Sequence, residues 1–174
     1  MGDFWVFGYG SLIWNPGFAY VETSRARLAG YRRSLCVKSW VHRGTPERPG
    51  LVLGLDRGGS CVGLAFRVPG ELHGEVMGYL RARELVTNVY LERRLPVRLA
   101  DGRQVAAVAY VVDRAHQQYA GRMDELHAAE IVRNAEGQSG PNPTYVLSTL
   151  EHLQALGIRD HWLESVALRL KSEK

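Results

Sequence analysis

The sequence predicts an α+β fold in which a strongly bent sheet or small β-barrel carries flanking helices. Three observations lead there. Short apolar runs punctuated by glycine fill the first part of the chain. One nearly unbroken apolar run, Val105 to Val112, asks for a central strand covered on both faces. Three stretches with helical spacing close the chain.

The elements follow in order. Phe4 to Phe7 is a short apolar run broken at once by Gly8-Tyr9-Gly10-Ser11, a buried strand ending in a turn. Two separate strands are expected around Val21 to Leu28 and Ser34 to Ser39. Leu51 to Leu55 and Val62 to Val68 then flank Gly58-Gly59, a dipeptide that tolerates the positive φ angles of a tight hairpin. Leu72, Val76, Tyr79 and Leu80 share one helical face, so a helix is expected here, ending near Glu84. Val89 to Leu99 is strand-like. Ala128, Ile131, Val132 and Ala135 mark the first closing helix, Val146, Leu150 and Leu153 the second, and Leu163, Val166, Ala167 and Leu170 the third.

A chain of 174 residues, 45% hydrophobic and 23% charged, fits one compact domain over residues 1–174. Met1 to Phe7 lacks the pattern of an export signal, and no window approaches the roughly 18 apolar residues of a membrane helix. Cys36 and Cys61 lie far apart in apolar runs, as buried thiols of a reducing compartment do, so the cytoplasm is expected. The net charge of +4 is scattered, and its short Arg pairs have no interleaved aromatics, which argues against nucleic acid as a partner.

The most informative segment is Phe7-Gly8-Tyr9-Gly10-Ser11-Leu12-Ile13-Trp14. Two glycines one residue apart admit a ligand close to the backbone, and successive N–H groups in such a turn can converge on an anion. A dinucleotide loop needs a third glycine opening a helix, and a Walker loop needs Gly-Lys-Ser/Thr; Leu12, Ile13, Trp14 and Pro16 follow instead. The plain alternative is a glycine-rich turn with Trp14 packed in the core.

The run Val6 to Phe18 resembles the N-terminal signature of the ChaC family, the glutathione-specific γ-glutamylcyclotransferases. The resemblance continues through His42 to Leu51, the Gly-Gly-Ser-Cys-Val-Gly segment from Gly58 to Gly63, Arg83-Glu84, Asp113-Arg114, Tyr119-Ala120-Gly121, and Gly137-Gln138-Ser139-Gly140 ahead of Tyr145. It implies a small mixed β-barrel edged by helices and conversion of glutathione to 5-oxoproline and cysteinylglycine. By the same resemblance the loop Gly8, Tyr9, Gly10, Ser11, Leu12 and Ile13 binds the γ-glutamyl group, and Glu84 is the catalytic carboxylate. The chain departs from the family at Leu85, where bacterial relatives usually carry Met, and in Thr87-Asn88-Val89-Tyr90, where many members have a glycine shortly before the Tyr.

The chemistry suits one carboxylate. In a γ-glutamyl amide the α-amine reaches its own side-chain carbonyl, so ring closure requires no protein nucleophile. It requires a base that takes a proton from the ammonium and returns one to the leaving amine. A desolvated Glu84 would do this. Glu75 lies nine residues earlier, about two and a half helical turns away, and is read as a surface or supporting group. His42, His73, His116, His127, His152 and His161 show no zinc spacing and the cysteines no Cys-x-x-Cys motif, so neither a metal nor a cofactor is expected. Ser11 lacks a base nearby in sequence. Tyr145 and His42 to Thr45 are read either as contacts to the Cys-Gly end of the substrate or as packing. The alternatives are another γ-glutamyl amide as substrate, or a regulatory or binding protein on the same fold, in keeping with the family's association with cation transport.

Overall fold

The structure is a computed structural model that describes residues 2–172. The chain forms two compact units. One comprises the chain up to Arg33 with Leu55–Asp113, the other Ser34–Gly54 with the chain from Arg114 on. A closed five-stranded barrel has the order β1 (Phe4–Gly8), β3 (Gly50–Val68), β2 (Glu22–Ser39), β4 (Tyr90–Leu99), β5 (Gln104–Val112). The sheet is mixed: β1 runs antiparallel to β3 with Phe4 opposite Val68, and parallel to β5 with Trp5 opposite Ala107, which closes the ring.

In the first unit β1 is buried along its whole length, because β3 and β5 flank it and its two faces alternate large apolar side chains. Phe4 and Val6 join Val68, Val108 and Tyr110 in a cluster capped by Val76, Met77 and Leu80 of α2 (His73–Glu84) and by Leu12 of α1 (Ser11–Trp14). Each such side chain removed from water contributes about 1.5–3 kcal/mol. β4 and β5 pair antiparallel from Tyr90 opposite Val112 to Arg98 opposite Gln104. As expected of a central strand, β5 is buried at every residue from Ala107 to Val112.

Two expectations are corrected. The stretches around Val21 to Leu28 and Ser34 to Ser39 are one continuous strand, β2. The hairpin at Gly58-Gly59 is also absent: both glycines lie inside the single strand β3, with φ of 101° and 70°. Arg67 bonds Glu22, Arg27 donates to Ser60 and Arg32 donates to Asp56, so β2 numbers rise as β3 numbers fall and the two strands form one antiparallel ribbon. Residues with positive φ inside a strand bend and twist it locally, which is how a long ribbon follows a small barrel. Gly30 in β2, with φ of 90°, supplies the same freedom in the partner strand.

In the second unit α3 (Glu125–Arg133) packs on α4 (Asn142–Ala155) and α5 (His161–Ser172). Asp124 caps α3 by accepting from the His127 N–H at 2.8 Å. The two-residue strands β6 (Glu136–Gly137) and β7 (Gly140–Pro141) form a small hairpin whose Gln138 and Ser139 N–H groups donate to the Val41 and His42 carbonyls. Fully buried Asn142 pairs with the Leu51 backbone in both directions, accepting at 2.8 Å and donating at 2.9 Å. No helix among the described residues is long and apolar enough to cross a membrane.

Candidate active site

The glycine loop leaves the end of β1 and enters a single helical turn. Gly8 still pairs with Leu64, and Gly63 beside it has no room for a side chain, because a Cβ would overlap the Gly8 carbonyl oxygen. After Tyr9 and Gly10 the chain enters α1, with the Ile13 N–H donating to the Gly10 carbonyl at 2.9 Å. Leu12 and Ile13 are buried, and Ser11 is exposed. Trp14 is half-buried rather than part of the deep core. Arg33, almost wholly buried, holds the loop from behind: it donates to the Tyr9 carbonyl at 2.7 Å and to the Val62 carbonyl at 2.7 Å.

Glu84 is the last residue of α2, close to the end that the helical periodicity implies. Its neighbour Leu85 packs against the apolar cluster with Tyr90. Only 16% of the Glu84 side chain is exposed, and burial pushes its carboxyl above the usual carboxylate range, with the Arg83 cation opposing that rise. The C-terminal end of a helix carries partial negative charge and acts in the same direction as burial. After the helix the chain turns through Asn88 at φ 60°, the left-handed region that glycine and, next to it, asparagine tolerate best. Asn88 thus provides the conformation that a glycine before the tyrosine would provide.

Arg83, between the carboxylate and the loop, is the side chain that connects them. Its Nη2 donates to Ser11 Oγ at 2.8 Å; its Nη1 donates to the Asn15 carbonyl at 2.6 Å and to the Tyr79 hydroxyl at 3.0 Å; its Nε lies 3.7 Å from Glu84 Oε1. Gly17, at φ 75°, lets the following chain pass against Tyr79, whose hydroxyl occupies the space a Cβ would need. The structure therefore brings the predicted loop and the predicted acid together through one guanidinium. No sequence signal announced this contact, since Arg83 and Ser11 are 72 positions apart.

A second polar array includes Tyr110, which feels the Glu84 charge. The Tyr110 hydroxyl donates to Glu92 at 3.0 Å, and Glu92 is gripped by Arg81 through two bonds of 3.0 and 3.1 Å. Burial, then Glu92, raise the Tyr110 phenol far above its ordinary value, while the Arg81 hydrogen bond lowers Glu92. A cleft of about 500 Å³ opens beside Arg81, Glu92, Phe4 and His73. It contains neither Glu84 nor the glycine loop.

The remaining sequence candidates have other surroundings. Glu75 is exposed. Tyr145 accepts from the Leu53 N–H at 3.0 Å and carries the Arg43 guanidinium over its ring, and His42 Nδ1 lies 3.1 Å from Ser139 Oγ, all within the second unit. Both cysteines are buried thiols. Among the described residues no three His, Cys, Asp or Glu side chains gather as a metal site.

A family model described as ChaC-like protein matches residues 4–173. The chain belongs to the ChaC-like family. Among the relatives of this ChaC-like chain, the glutathione-specific γ-glutamylcyclotransferase of Escherichia coli K12 is 34% identical over 98% of the chain and 74% of its own length. The enzyme of that description from Schizosaccharomyces pombe is 33% identical over 89% of the chain and 85% of its own length. A crystal structure of a yeast γ-glutamylcyclotransferase specific to glutathione superposes with a TM-score of 0.86 at 22% identity, covering 100% of the chain and 98% of the yeast one. The barrel with flanking helices is the fold of that protein.

Proposed function

We propose that this chain is a γ-glutamylcyclotransferase that cleaves glutathione to 5-oxoproline and cysteinylglycine. The observation that carries the reading is a desolvated carboxyl, Glu84, tied through Arg83 to the glycine loop that the family resemblance assigns to the γ-glutamyl group. The chain acts as one functional domain in this reading.

The loop Gly8 to Ile13 holds the γ-glutamyl end so that its α-amine faces its own γ-carbonyl carbon. Fixing that conformer supplies much of the rate, since a well-oriented intramolecular attack gains up to about 7–11 kcal/mol. Glu84, ionised, takes a proton from the α-ammonium. The freed amine forms the new C–N bond to the γ-carbon. As the old C–N bond breaks, Glu84 returns its proton to the departing nitrogen of cysteinylglycine, and the second proton of the attacking nitrogen passes by way of the same carboxylate to that amine, which leaves as an ammonium while the ring keeps a neutral lactam N–H. The raised affinity of a buried carboxyl for protons brings it closer to the amine it must serve.

The test is incubation with glutathione and with other γ-glutamyl amides, with 5-oxoproline read by mass spectrometry. Glu84→Gln is expected to lower kcat by about 10²–10⁴-fold. Turnover unchanged in that variant would remove Glu84 from the mechanism. Product from another γ-glutamyl amide but not from glutathione would move the substrate, and no product from any would favour a binding protein.

A further inference from the structure

We infer that Arg83 is a positioning residue with two separable duties: its charge sets how readily Glu84 ionises, and its planar fork fixes the Ser11–Pro16 segment against α2. The inference rests on the reading of Glu84 as the base.

The geometry distributes the guanidinium over three structures. Nη2 reaches the first residue of α1 at Ser11, Nη1 reaches the Asn15 carbonyl and the Tyr79 hydroxyl, and Nε faces the Glu84 carboxyl. The side chain is only 20% exposed. Only a rigid fork with donors in one plane serves partners lying in these directions at once; a lysine ammonium supplies the charge from one point and not the span. At 3.7 Å the Nε–Glu84 contact is an ion pair rather than a tight hydrogen bond, so Arg83 favours the carboxylate without tying up the oxygen that must exchange a proton.

The other ionisable groups around Glu84 have partners of their own. Arg81, on the same helix, is engaged with Glu92 of β4, which also accepts from Tyr110 of β5, while Tyr79 bonds Arg83 itself. Tyr90 of β4 packs in the apolar cluster. Arg83 is the group whose charge favours ionised Glu84.

Activity requires ionised Glu84 and falls as pH drops through its pKa. Removing the neighbouring cation raises that pKa, so the acidic limb of the kcat/KM profile moves to higher pH. Arg83→Gln is expected to move it by about 0.5–1 pH unit and to raise KM about tenfold. Arg83→Lys is expected to keep the acidic limb within about 0.2 units of wild type while KM still rises. Wild-type enzyme assayed alongside establishes that 5-oxoproline is formed, so failure of the activity and failure of the Arg83 inference are distinguishable. A merely structural arginine would lose activity in both variants with the limb unmoved, and that result overturns the inference. So does a KM within twofold of wild type in Arg83→Lys. Should Arg83→Gln not fold by circular dichroism, Ser11→Ala removes one prong and is expected to raise KM with no shift of the limb. A shifted limb in Ser11→Ala overturns the separation of the two duties.

Discussion

Glu84 sits where a carboxyl costs stability. Its pKa in the fold lies above its unfolded value, so its contribution to stability is fully present below the unfolded pKa and is lost as pH rises through the folded one. Glu84→Gln is therefore expected to melt at a higher temperature than wild type at pH 7, with the gain shrinking as pH falls toward the ordinary carboxylate range. Thermal melts across that interval measure it; a variant no more stable than wild type at any pH would mean that the carboxyl is not desolvated. Loss of activity with gain of stability is the signature of a group kept for chemistry. At this scale the sequence could point to Glu84 and the six loop residues, which stay proposals, because their motif is local. Arg33, Arg83 and Tyr110 were not: Tyr9 for Arg33, Ser11 for Arg83 and Glu92 for Tyr110 lie 18 or more positions away, and nothing in a run of sequence says which distant oxygen such a side chain will meet.

Among the elements, the join of β1 and β3 directs the loop. Gly63 allows β3 to approach the Gly8 carbonyl where the loop begins. Gly63→Ala is expected to cost about 1–3 kcal/mol through forced displacement of backbone, read as a lower midpoint in urea, and to depress kcat/KM beyond what the unfolded fraction explains. A variant with wild-type midpoint and activity would show that the strand end can shift freely. α2 was readable because four positions fix a helical stripe and its end needs only one further turn. The ribbon was misread at Gly58-Gly59 because positive φ angles serve a reversal and a bend equally well. What separates the two is the partner strand, and here β2 continues alongside through Arg27 and Arg32.

For the molecule as a whole, arginines such as Arg67 with Glu22 and Arg159 with Glu164 are neutralised in ion pairs, and the sequence scatters the net charge of +4 instead of running it into one basic stretch. Turnover of a small substrate is expected to change by less than about threefold between roughly 50 and roughly 500 mM NaCl, whereas function through a polyanion would fall by orders of magnitude. The α+β class was legible from composition of the runs. Closure of the barrel was not, because it depends on β1 meeting β5, some hundred positions later in the chain, through the short register that pairs Trp5 with Ala107 and Val6 with Val108.

The interleaving of the two units has a consequence for birth at the ribosome. When Asp113 has emerged, every segment of the first unit is outside the tunnel, while Ser34–Gly54 still waits for helices that have not been translated. Vectorial synthesis is thus expected to complete the body that bears Glu84 first and to leave the Leu51 and Leu53 N–H groups without Asn142 and Tyr145, their partners in α4, until that helix has been translated.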